Sequence, residues 1–198
     1  ADHALARDAV FTDVDPAFLT ANGLFTVQTR CGDKNTHITR PDLGRQLSDE
    51  AVKTIRERCQ KNPDVQIVVS DGLSSKAIEA NVANALPAIV EGLQSRGLTV
   101  GTPFFIRFGR VAAEDAVAEL LGPKVVCILI GERPGLGTAE SMSAYICYDA
   151  RVGQPEARRT VVSNIHRGGI SSVEAGAYIA ELIKKIYDAK ASGVELKQ

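Results

Sequence analysis

Residues 124–137 read KVVCILIGERPGLG, and the fold turns on them. The unbroken apolar run VVCILI is too short for a helix and too continuous for a strand with one wet face, so it predicts a strand buried on both sides. A glycine-bearing turn at the carboxyl end of such a strand is where α/β proteins place ligands. Working outward, the same pattern recurs. VQIVVS at 65–70 runs into DGLSS, and PFFIRFGRV at 103–111 reads as another strand. A long helical stretch at 76–96 separates these two, and AAEDAVAELLG, closed by a glycine stop, leads on to 124–137.

The flanks complete the pattern. SDEAVKTIRERCQKN at 48–62 predicts a helix opened by a Ser N-cap with a Glu behind it, read as a capping box. SMSAYICYDAR at 141–151 and RTVVSNIHRGG at 159–169 read as two further strands, and SVEAGAYIAELIKKIYDAK at 172–190 as the closing helix. Strands alternating with helices predict an α/β fold, Rossmann-like, with a mostly parallel sheet and helices on both faces. Ahead of it, ADHALARDAVF predicts a short amphipathic helix, and the Pro-, Gly-, Asn- and Thr-rich stretch that follows reads as packed coil. The expected division is a helix-and-coil segment over 1–46 and an α/β domain over 47–198.

Composition narrows the function. The chain has 198 residues, 44% hydrophobic and 24% charged, which is enough for one good core and reads as a soluble globular protein. A formal net charge of -1 gives no polyanion-binding signal, so nucleic acid is not an expected partner. No apolar run approaches the roughly 20 residues of a membrane span, and no charged-then-apolar leader opens the chain, so a cytoplasmic protein is expected. Cys31, Cys59, Cys127 and Cys147 are widely spaced and read as free thiols.

Four polar, glycine-bearing loops follow apolar strands: 70–75, 108–111, 131–137 and 163–169. Their convergence on one crevice is the physical case for a ligand site. The loop at 131–137 is not G-x-G-x-x-G, lacks the GK[ST] ending of a triphosphate loop, and carries Pro134, which has no N–H for a phosphate cradle. A plain turn accounts for Gly135 and Gly137 but not for Glu132 and Arg133 at the mouth of an apolar strand.

His166 reads as a hydrogen-bonded loop histidine, because no H-x-x-H, H-x-x-x-H or C-x-x-C spacing supports a metal. Asp71 reads as a helix cap or turn residue in preference to a catalytic acid. No G-x-S-x-G elbow supports a hydrolase triad. Arginines 107, 110, 133, 151, 158, 159 and 167 gather near strand ends, where guanidinium suits phosphate, carboxylate or the acidic rim of a partner. A ligand crevice without a nucleophile and base fits a cofactor-binding subunit better than a complete enzyme; an independent Rossmann-like nucleotide-binding enzyme is the alternative.

VVSDGLSS, PFFIRFGRV, GERPGLGTAESMSAY, SNIHRGG and KASG stand in this order in the chain, as they do in the light chain of ethanolamine ammonia-lyase. The sequence resembles that family from its first helix to its C-terminus, in a form shorter at the N-terminus. The resemblance implies an adenosylcobalamin-dependent lyase that converts ethanolamine to acetaldehyde and ammonia. It implies a heavy-chain partner, a TIM barrel that carries the substrate site, in a large assembly of six heavy and six light chains. It leaves open whether the enzyme works free in the cytoplasm or inside a bacterial microcompartment.

The resemblance also implies cobalamin contacts at Val111, with Arg110 beside it, at Glu132 as acceptor for a corrin amide, and at Val161, where related light chains can carry a cysteine. No catalytic residue and no metal ligand are expected on this chain. The D-x-H-x-x-G motif, in which a histidine displaces the cofactor's own base, does not occur in the sequence, so base-on binding is expected.

Overall fold

The computed structural model describes residues 13–135 and 138–197; the helix expected over ADHALARDAVF lies outside them, as do Leu136 and Gly137 of the glycine-rich loop. The described chain is an α/β fold around one six-stranded sheet. In chain order the elements are α1 (Pro16–Ala21), β1 (Thr26–Gln28), α2 (Lys34–Thr39), α3 (Asp49–Arg58), β2 (Val65–Ser70) and α4 (Ser75–Ser95). They continue with β3 (Phe104–Arg107), α5 (Ala113–Leu121), β4 (Val125–Gly131), β5 (Met142–Tyr148), β6 (Thr160–Ile165) and α6 (Ser172–Ala189).

The sheet order is β1-β3-β2-β4-β5-β6. The first four strands are mutually parallel, while β4 with β5 and β5 with β6 are antiparallel, so the sheet is mixed. The connection between β4 and β5 explains this departure from the expected parallel order. Its described residues form no helix, and a parallel neighbour needs a crossover of about a dozen residues or more, usually helical.

The continuous apolar runs behave as expected: every residue of β2 and of β4 is buried. One face of the sheet packs Ile67, Val69, Cys127, Leu129 and Ile146 against α4 and α6. The other packs Val68, Phe104, Ile106, Ile128 and Ile130 against α3 and α5. Helices therefore cover both faces. All four cysteines are free.

Three local readings change. The strand expected over 103–111 stops at Arg107, because Phe108 takes a left-handed conformation (φ 61°) that no strand continues through. The N-terminal stretch expected as coil contributes two short helices, α1 and α2, and the strand β1, which pairs with β3. Ser48 caps α3 by accepting from the Ala51 N–H at 3.1 Å, but no capping box forms: Glu50 stands one position short of the residue that reaches back. No described helix is long and apolar enough to cross a membrane.

Candidate functional site

Parallel strands deliver their carboxyl ends to one edge of the sheet, and there the expected loops meet. The Asp71 carboxylate accepts the Phe108 N–H at 2.9 Å, which ties the loop after β2 to the loop after β3. The Leu73 N–H donates to the Gly131 carbonyl at 3.0 Å, which ties it to the end of β4. Ile165, the last residue of β6, pairs with Met142, itself paired with Gly131, so the fourth loop leaves from the same edge.

Asp71 is buried, and its second oxygen holds Lys34 Nζ at 2.9 Å. It is a turn anchor and not the helix cap; Ser74 caps α4. Beside it His37 is fully buried, with Nε2 3.2 Å from the Gly109 carbonyl and Nδ1 without a partner. Burial, reinforced by Lys34 and Arg110 and opposed by Asp71, lowers the His37 pKa to about 4. The imidazole is therefore neutral at physiological pH, and Nε2–H donates.

Glu132 extends from the end of β4. Its N–H donates to the Ser141 carbonyl at 3.0 Å, and its Oε1 accepts the Tyr145 hydroxyl at 2.8 Å. Burial, together with the Glu132 carboxylate, raises the Tyr145 phenol far above its ordinary range, so the phenol keeps its proton and donates. In the β5–β6 ladder Tyr145 stands opposite Val161, whose exposure is 48%. Glu132, Tyr145 and Val161 thus form one line across the α5 face of the sheet. Ser163, two residues beyond Val161, is exposed as well.

Val111 is half-buried in the turn that opens α5, packed on the same apolar cluster as Tyr145. Arg110 is tied to the 37–44 segment: its Nη2 donates to the His37 carbonyl at 2.7 Å and its backbone N–H to the Gly44 carbonyl at 2.9 Å. His166 is the loop histidine expected: Nδ1 accepts from the Gly168 N–H at 3.1 Å, and Nε2 lies 2.7 Å from Asn164 Oδ1.

The structure thus brings three of the four expected contact positions onto one face, while the fourth, Arg110, has its guanidinium bonded to the His37 carbonyl. Tyr145, Lys34 and His37 were not anticipated. Tyr145 had a signal: a tyrosine in a largely apolar strand needs a partner for its hydroxyl, and Glu132 is the nearest carboxylate across the hairpin. Lys34 and His37 lie in a segment without periodicity, where no local pattern marks them.

The ethanolamine ammonia-lyase light chain (EutC) family model matches residues 1–197. The ethanolamine ammonia-lyase small subunit of Fusobacterium nucleatum is 61% identical over 197 residues, covering 100% of this chain and 67% of that protein. The small subunits of Clostridium perfringens and Listeria monocytogenes are 59% and 53% identical, with the same coverage. The loops that meet at the sheet edge fall within the matched residues, and the chain belongs to the ethanolamine ammonia-lyase light chain family.

Proposed function

We propose that this chain is the small subunit of an ethanolamine ammonia-lyase, which releases ammonia from ethanolamine, and that its share of the work is to hold adenosylcobalamin against the large subunit. The observation that carries the cofactor reading is the preset carboxylate of Glu132, held by Tyr145 beside the exposed Val161.

Corrin is a broad apolar disc edged with amides, so its site needs acceptors for amide N–H groups and flat apolar contact. The residues present fit those needs. Glu132 has one oxygen fixed by Tyr145 and a second with no hydrogen bond inside the chain among the described residues. Val161 and the half-buried Val111 supply apolar contact on the same face. Buried Ser143 stands on that strand face too, with a hydroxyl lacking any partner.

When bound, the cofactor supplies radical chemistry through homolysis of its cobalt–carbon bond. Val111, Glu132 and Val161 would hold and orient it, and this reading assigns them no proton transfer. Base-on binding belongs to this reading, as do a heavy-chain partner and an assembly with six copies of each. So does a place in the cytoplasm or a microcompartment.

We read the order β3-β2-β4 as Rossmann-like, with its topological switch point between β2 and β4. Nothing favours a nucleotide there. The Gly131 carbonyl is taken by the Leu73 N–H, and Ser74 Oγ donates to the Ala139 carbonyl, so the chain fills that crevice with its own backbone.

Co-purification with the large subunit and adenosylcobalamin tests the reading. Ammonia release is expected only with both subunits, with the visible spectrum of a protein-bound corrin. Equal activity from the large subunit alone overturns it.

A further inference from the structure

Arg159 is 5% exposed and stands two residues before Val161. Its guanidinium grips Asp115 with both ends, Nη1 to Oδ1 at 2.8 Å and Nη2 to Oδ2 at 2.6 Å. Nε donates to Glu156 Oε2 at 2.8 Å, and Gln154 Nε2 donates to Asp115 Oδ1 at 3.1 Å. Asp115 lies in the first turn of α5, four residues after Val111, and is 2% exposed. The clasp therefore joins the segment that feeds β6 to the head of α5. The two ends carry the two apolar positions of the proposed cofactor face.

Stability alone does not account for such a pair. Removing two charges from water costs about as much as their attraction returns, so a buried ion pair often contributes no more than packed apolar residues would. Its gain is geometric. A guanidinium fork admits a bidentate carboxylate in one plane and at one distance, which a lysine does not reproduce. β6 is the last strand of the sheet, with β5 on one side only, so its position relative to α5 is less constrained by ladder hydrogen bonds than that of an inner strand.

We propose that Arg159, through Asp115, is a positioning residue for the corrin, fixing the separation between Val111 and Val161. This inference rests on the cofactor reading above.

The test uses the complex assembled with the large subunit and titrates adenosylcobalamin, reading the visible spectrum of the bound corrin alongside ammonia release. Arg159→Lys is expected to raise the half-saturating cofactor concentration about tenfold, the effect of losing one charge-assisted hydrogen bond, while KM for ethanolamine stays where it was. Asp115→Asn keeps the shape and serves if the first variant does not fold; it is expected to move the same quantity in the same direction by a smaller factor. Ile89→Val, a core change in α4, is the control for lost stability. Wild-type affinity in both variants, or an equal loss in the Ile89→Val complex, overturns the proposal. A wild-type complex that binds cobalamin no better than the large subunit alone overturns the cofactor reading instead.

Discussion

The Tyr145 hydroxyl donates a 2.8 Å hydrogen bond to Glu132 Oε1, reaching from the middle of β5 to the residue that follows β4. The bond converts a flexible carboxylate at a loop mouth into an acceptor with a fixed direction. It also answers what the charged pair in 131–137 is for: Glu132 is aimed by the neighbouring strand and not by the glycines around it.

Glu132→Ala is expected to weaken adenosylcobalamin binding by the assembled enzyme by about 1–3 kcal/mol, the cost of unpairing a buried polar contact. Tyr145→Phe leaves the acceptor in place but frees its direction, so a smaller loss of about 1 kcal/mol is expected. Titration of both complexes, followed by the corrin spectrum, checks the order; an effect of Tyr145→Phe larger than that of Glu132→Ala contradicts it.

His37 makes the fold sensitive to acid. Burial lowers its pKa to about 4, so between about 6.5, its ordinary value, and 4 the unfolded chain takes up a proton that the folded chain refuses. Its contribution is complete above about 6.5 and is lost as the pH falls toward 4, up to about 3 kcal/mol. Urea midpoints across that range are expected to fall, and His37→Gln, which retains a donor for the Gly109 carbonyl, is expected to flatten the slope.

Glu114 acts in the opposite sense. It is fully buried, neither oxygen has a hydrogen-bond partner, and burial raises its pKa well above the usual carboxylate range although Arg159 Nη1 stands 3.5 Å away. The folded chain therefore holds a proton that the unfolded chain releases above its ordinary pKa. The penalty grows as the pH rises from there toward the folded value. Glu114→Gln removes a group that titrates, so its stability relative to wild type is expected to be higher at pH 8 than at pH 4.5. Denaturant midpoints at the two values decide it; a gain confined to pH 4.5 contradicts the assignment.

The sequence made the inner sheet legible because β2 and β4 are buried on both faces, and unbroken apolar runs have no other stable place. The edges were not. β1 is three residues long and sits in coil-like sequence, so only its pairing with β3 makes it a strand. The direction of β5 depends on its connection, whose described residues form no crossover helix, and a strand-by-strand reading does not weigh that. At the site, motif carry-over marked Val111, Glu132 and Val161. Asp115 and Arg159 stand 44 positions apart in the chain; Arg159 is marked only as one of seven arginines near strand ends, and Asp115 not at all. Only folding brings them together.

The glycines of 131–137 are not equivalent, although a turn reading treats Gly135 as one that shapes the loop. Among the described residues Gly135 has no neighbour near the place a Cβ would occupy, and it is not among the positive-φ glycines, so nothing described there requires glycine. Gly131 is different. A Cβ at Gly131 would collide with the backbone carbonyl of Ser74 and stand 2.6 Å from that of Asp71, and backbone atoms cannot swing aside as a side-chain tip does. The loop after β2 lies directly on the end of β4, so Gly131→Ala must push the two apart, lengthening the Leu73 to Gly131 hydrogen bond. A loss of about 2 kcal/mol or more is expected from such overpacking, against a change within about 0.5 kcal/mol for Gly135→Ala. Denaturant unfolding of the two variants separates them. Because Glu132 follows Gly131 directly, the first variant is also expected to weaken adenosylcobalamin binding while the second leaves it unchanged.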